Sequence, residues 1–232
     1  MHIDRRLETI ANLVPQGCVL ADIGTDHAYL PVWLLEKQRI ARAIAGDIAA
    51  GPCRAARTTV AQYGQHVEVR QGSGLKVLAP GEADCIAIAG MGASTIISIL
   101  EDDMEIAQSA ELLVLQPMAG AASLRAWLCS HGWQLAAEEL VDDAPHFYEI
   151  IAAKRGSAPV YSAAEYVVGP LLLAQEHPLL GKQMERQLAT CRQMLENMGR
   201  SERARASEKY KEIEALKAEL EVLQNGKRSD SK

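Results

Sequence analysis

Asp22, Asp26 and Asp47 are the side chains of this sequence whose type and spacing can do chemistry. The first two flank Gly24 in the run Asp22-Ile-Gly-Thr-Asp-His27, and Asp47 follows Gly24 by 23 residues, at the end of Ala43-Ile-Ala-Gly-Asp47. A carboxylate at that offset from a strand-ending glycine lies beside the first turn of a βαβ unit, where it accepts hydrogen bonds from a ribose diol. The pattern implies a nucleoside pocket. A dinucleotide pocket needs Gly-x-Gly-x-x-Gly, because the backbone must approach a pyrophosphate at the helix N-terminus. This turn keeps one glycine and adds Asp26, whose charge repels a pyrophosphate and attracts a cation. S-adenosylmethionine fits such a pocket: it offers a ribose to Asp47, carries no phosphate, and brings ammonium and sulfonium charges to Asp22 and Asp26. An ordinary βα turn with a lone glycine is the alternative, and Asp47 argues against it.

Four further places in the chain belong to the same candidate pocket. His27 follows Asp26 and Ile48 follows Asp47. Gly72, Ser73 and Gly74 form the loop after the third strand, placed to meet an adenine edge, although a plain glycine-rich turn reads equally well. Gly90 and Met91 end a fourth, continuously apolar strand, where small residues let a ligand approach the backbone.

The elements that must carry these residues follow from periodicity. Leu7, Ile10, Ala11 and Val14 share one face of a helix over 4–14. The run 18–23 is a buried strand, a helix follows over about 28–38 with Pro31 near its start, and 43–45 is the second strand. A helix over 51–63 ends at Gly64, and the next strands are 67–70, 85–89 and 112–115. A helix over 123–130 precedes two strands, 133–141 and 147–153, with no helix between them. Five alternating β/α units and an antiparallel pair predict a seven-stranded, doubly wound α/β sheet over residues 1–155. Beyond 156, Met184, Leu188, Cys191, Leu195 and Met198 step by four and three, as do Ile213, Leu216, Leu220 and Leu223. They predict a helical hairpin of coiled-coil type over 156–225, with 226–232 as a disordered tail.

Composition sets the outer limits. The chain has 232 residues and a net charge of −6. Residues 1–155 hold 12 Lys and Arg against 19 Asp and Glu, and the remainder 12 against 11, so any RNA contact must use local patches. Five scattered cysteines, none in a Cys-x-x-Cys pair, read as core residues of a reducing compartment, with no metal framework. No apolar run is long enough to span a bilayer. The expectation is a cytoplasmic protein, monomeric or a weak homodimer.

The sequence resembles the bacterial tRNA adenine-N1 methyltransferases that modify adenine 22, the TrmK family. The resemblance rests on Arg6-Leu7, on Asp22-Ile-Gly-Thr-Asp-His-Ala-Tyr-Leu-Pro31, on Gly51-Pro52 and on Gln71-Gly-Ser-Gly-Leu75. It continues through Ile88-Ala-Gly-Met-Gly92, Leu115-Gln-Pro117 and Phe147-Tyr-Glu149. Asp47 stands where the family more often has Glu, Ser73 replaces an acidic or amide residue, Ala93 a glycine and Met118 a common Asn. The resemblance implies a class I (Rossmann-like) methyltransferase fold, S-adenosylmethionine as methyl donor and tRNA as substrate. The chemistry of that reaction points to Asp26 as its catalytic carboxylate, because positive charge develops on the adenine as N1 is alkylated and a nearby carboxylate stabilises it. A structural N-cap on the next helix is the competing role. Tyr29 is placed to stack on a flipped-out base or simply to pack on its helix face, and Arg6, Arg203 and Arg205 are candidate RNA contacts, a solvated helix face being the alternative for the last two. The absence of Asn/Asp-Pro-Pro-aromatic after the fourth strand favours a ring nitrogen over an exocyclic amine. A nicotinamide oxidoreductase, a non-catalytic RNA-binding module and a methyltransferase with a non-RNA substrate are the rival readings.

Overall fold

β1 (Val19–Ile23), β2 (Arg42–Asp47), β3 (Val67–Gln71), β4 (Cys85–Met91) and β5 (Leu112–Pro117) run parallel, and β6 (Trp133–Asp143) and β7 (His146–Arg155) pair antiparallel. They form one seven-stranded sheet in the order β3-β2-β1-β4-β5-β7-β6. The computed structural model describes residues 1–230, the last four as backbone only. β1 and β4 lie side by side while their partners diverge, so the strand order reverses between them. Open α/β sheets hold their ligands at the carboxyl ends of the strands around that point. Leu20, Ala21 and Ile23 in β1, Ile86 to Ile88 in β4 and Leu113 to Leu115 in β5 are buried without alternation, as a sheet covered on both faces requires.

The covering helices are α1 (Arg5–Leu13), α2 (Tyr29–Glu36), α3 (Ala50–Tyr63), α4 (Ala93–Asp102), α5 (Met104–Ser109) and α6 (Ala121–Ser130). Asp4 caps α1, its carboxylate accepting from the Leu7 N–H at 2.7 Å. α2 begins at Tyr29 because Asp26 (φ 44°) and Ala28 (φ 57°) are both left-handed, which delays helix entry. Behind the β6–β7 pair, the fully buried Arg125 of α6 binds Glu138 of β6 and, at 2.8 Å, Glu149 of β7. That interior ion pair has no signature in the apolar periodicity.

The chain divides into two compact units, Met1–Pro159 and Val160–Lys232. The second holds α7 (Ala163–Val168), α8 (Pro170–Ala174), α9 (Leu180–Gly199), α10 (Glu202–Arg205) and α11 (Glu208–Asp230). A capping box starts α7: Ser162 Oγ accepts from the Glu165 N–H, and the Glu165 carboxylate accepts from the Ser162 N–H. Met184, Leu188 and Cys191 of α9 are buried with Ile213 and Leu220 of α11, the inner part of the expected seam. Leu195, Met198, Leu216 and Leu223 are half-buried. Three differences stand out. α7 and α8 precede the hairpin, whose first long helix begins at Leu180 and not near 156. α10, capped by Ser201, occupies the place of a simple turn. α11 also continues through Asp230, past residue 225, since each added residue of an established helix gains a hydrogen bond. The remaining two residues of the expected tail lie outside the described residues.

Candidate active site

The carboxyl ends of β1, β2 and β4 open into two hollows that share Gly24 as wall. One, of about 240 Å³, is bounded by Asp47 and Ile48 after β2, by Gly72, Ser73 and Gly74 after β3, and by Met91. The Asp47 carboxylate is fixed through Oδ1, which accepts from the Ala49 N–H at 2.7 Å. Ile48, 69% exposed, also lines this hollow and offers it an apolar side chain suited to a flat ring. The sequence expectation for the nucleoside half is thus assembled in one place.

The other hollow, of about 400 Å³, is bounded by Asp22, the Gly24–His27 turn, Tyr29, Ala89, Gly90 and Arg6. Asp22 is buried, and its Oδ2 accepts from Thr25 Oγ1 at 2.6 Å. Burial raises its carboxyl to about 6, against the opposing pull of the Thr25 hydroxyl and the Arg6 guanidinium. A cationic ligand needs the charged form, so its affinity is expected to fall as pH drops below about 6, by up to about tenfold per unit. Calorimetry across pH 5–8 checks this, and Asp22→Asn should bind weakly with that dependence gone. Stability moves the other way. The carboxyl is raised above its unfolded value of about 3.9, so protonation favours the fold, and that contribution is lost as pH rises through about 6.

Gly24 is required at its position by its left-handed backbone, and the flexible end of the Met91 side chain lies close above it. The φ of Gly24 is 78°, and a Cβ there would stand 2.0 Å from Met91 Cε. The space over the turn is therefore shaped between Gly24 and the Met91 side chain. Met91 reaches it because β4 carries an irregularity between Ala89 and Met91, with Gly90 left-handed at φ 78°.

Asp26 does not cap α2. The cap position is Ala28, which receives no side-chain hydrogen bond, and the Asp26 side chain is 71% exposed at the hollow's rim. His27 Nε2 lies 3.6 Å from Asp26 Oδ2, and its ring stacks on Tyr29 with centroids 5.0 Å apart and planes 9° from parallel. Tyr29 is 42% exposed, so this pair is a surface platform and not core packing. Arg6 turns inward: its Nη1 donates to Gln116 Oε1 at 2.9 Å, and its guanidinium sits 5.6 Å from the Tyr148 ring centre. Arg203 and Arg205 are exposed on α10, in the other unit.

Sequence reasoning left Gln116, Thr25 and Tyr148 without roles. Gln116 is fully buried at the end of β5, and its Oε1 accepts from both Arg6 and the Gly90 N–H, the latter at 3.2 Å. Its signal was the pair Gln116-Pro117 ending an apolar strand. Among the described residues, no His, Cys, Asp or Glu group has the arrangement of a metal site.

The walls fit S-adenosylmethionine. A fixed carboxylate and a bare apolar face suit a nucleoside, a glycine turn admits the joining atoms, and buried and exposed carboxylates suit the cationic end. A methyltransferase-domain family model matches residues 3–151. A Bacillus subtilis tRNA (adenine(22)-N(1))-methyltransferase is 34% identical over 230 residues, covering 96% of each chain. This chain belongs to the tRNA (adenine(22)-N(1))-methyltransferase family. The crystal structure of the B. subtilis m1A22 tRNA methyltransferase TrmK superposes with a TM-score of 0.86 at 32% identity, over 96% of this chain and 99% of that one. A Streptococcus pneumoniae relative solved in complex with S-adenosyl-L-methionine gives 0.83 at 31%, over 96% and 100%. The tRNA (adenine(22)-N(1))-methyltransferase fold is therefore matched along both units, although only residues 1–155 carried most of the sequence motifs.

Proposed function

We propose that this chain transfers a methyl group from S-adenosylmethionine to N1 of adenine 22 in the D-arm of tRNA. The observation that carries the reading is the pair of hollows meeting over Gly24, one bearing Asp47 and the other Asp22 and Asp26. It stands in a chain 34% identical to a relative named for that activity. When bound, S-adenosylmethionine supplies an electrophilic methyl group on a positively charged sulfur. The protein's part is positioning and charge. Asp47 takes the ribose hydroxyls, and Ile48 with the Gly72–Gly74 backbone takes the cofactor's adenine. Asp22 faces its ammonium. Tyr29, braced by His27, stacks on the target adenine, and Asp26 faces the positive charge that appears on this base as N1 is alkylated. Its carboxylate accepts a hydrogen bond, and where needed the proton, from the exocyclic amine.

The test is incubation of unmodified tRNA with labelled S-adenosylmethionine, followed by mass spectrometry of the nucleosides. N1-methyladenosine at position 22 is expected. Cofactor binding by calorimetry without any transfer to tRNA would overturn the substrate and leave the pocket. Arg203 and Arg205, exposed and cationic, are assigned to tRNA phosphates. Reversing both charges is expected to weaken tRNA binding and to flatten its salt dependence. An enzyme of this kind works in the cytoplasm, the compartment to which the five free cysteines also point.

A further inference from the structure

β7 is antiparallel to β5, so its first residues lie at the end of the sheet where β1 and β4 open into the hollows. His146 and Tyr148 are two residues apart on β7 and therefore point to one face. Their ring centres are 5.7 Å apart with planes 33° from parallel. The Arg6 guanidinium lies 5.6 Å from the Tyr148 centre, and Arg6 itself lines the larger hollow. Three flat groups thus succeed one another from the β6–β7 tip to the wall of the site. The inner end is held by Gln116, and the outer end, His146, is exposed. From behind, Arg125 clamps Glu138 of β6 and Glu149 of β7, which fixes the strand that carries His146 and Tyr148.

We infer that His146, Tyr148 and Arg6 form a stacking shelf for a second, unpaired base of the RNA, beside the base that is methylated. The inference rests on the tRNA reading above and gives a role to residues which that reading leaves idle. A row of planar groups with an open end offers a π-face to any base, and an arginine stacked on an aromatic ring extends it. The local charge selects the base over the backbone. Asp143 lies opposite His146 in the ladder and so shares its face. A carboxylate on that edge repels phosphates yet accepts hydrogen bonds from base amino groups.

The experiment uses the full chain and measures KM for tRNA, kcat and the calorimetric Kd for S-adenosylmethionine. His146→Ala, a change at an exposed position, is expected to raise KM for tRNA about five- to tenfold, with the loss carried by KM and not by kcat or cofactor Kd. His146→Phe, which keeps a flat ring, should restore it. Substrate carrying 2-aminopurine next to position 22 should be quenched on binding the wild type and less so by His146→Ala. Wild-type methylation of tRNA combined with an unaltered KM in His146→Ala overturns the shelf alone. Absence of tRNA methylation by the wild type overturns the substrate reading and the shelf together.

Discussion

Asp26→Asn is expected to lower kcat for tRNA methylation by about 10²–10³-fold, the range seen when a group stabilising transition-state charge is removed. Asparagine is the discriminating choice. It keeps the size of the side chain and tolerates the left-handed φ of 44° that this position holds. Asp26 caps no helix and is 71% exposed, so the fold does not depend on its charge. The loss should fall on kcat, because positive charge on the base is a property of the transition state and not of the bound adenine. Calorimetry should show the cofactor still bound, with Kd raised by at most about tenfold for the loss of one exposed charge. A variant with wild-type kcat would remove Asp26 from the chemistry.

Arg125→Met should be the most destabilising single change considered. Arg125 and Glu138 are both fully buried, and Glu149 is 14% exposed. Removing the cation leaves a buried carboxylate without its partner, a loss of about 3–5 kcal/mol. For a domain of this size that corresponds to a fall in thermal midpoint on the order of 10 °C, measurable by circular dichroism. Arg125→Met combined with Glu138→Leu should recover much of it, because the uncompensated charge is gone. An unchanged midpoint in the single variant would show that the pair contributes nothing net.

The sheet was legible in the sequence because parallel strands covered on both faces are short unbroken apolar runs, and 85–89 or 112–115 admit few other readings. The site at the ends of β1 and β2 was legible for a similar reason. A single glycine with carboxylates at fixed offsets constrains both topology and chemistry. What stayed hidden depends on three-dimensional neighbours. Arg6 reads as a candidate RNA contact, and nothing in the sequence tells that Gln116, 110 residues away, turns its guanidinium inward. Asp26 left two roles open, and only the left-handed Ala28 at the cap position decided against a cap. The row His146–Tyr148 is invisible until β7 is known to run back against β5. In the second unit the apolar seam gave α9 and α11, but not α10, whose four residues are polar or small.

In the proposed reading, the meeting of the two hollows over Gly24 makes the pocket a chelating one. Each half of a bridging ligand is held at its own wall, and once one half is seated the other is captured at a high effective concentration. Adenosine or methionine alone would forgo that gain. Methyl donor and spent product share both halves and differ by one methyl group and one positive charge. Asp22 keeps the ammonium of either ligand, but a sulfonium seated over Gly24 would also feel the carboxylates on both sides of that turn, so its loss on transfer would weaken the hold on what remains. Exchange of product for fresh donor would then be driven by loss of an ionic attraction, with no lid needed to open.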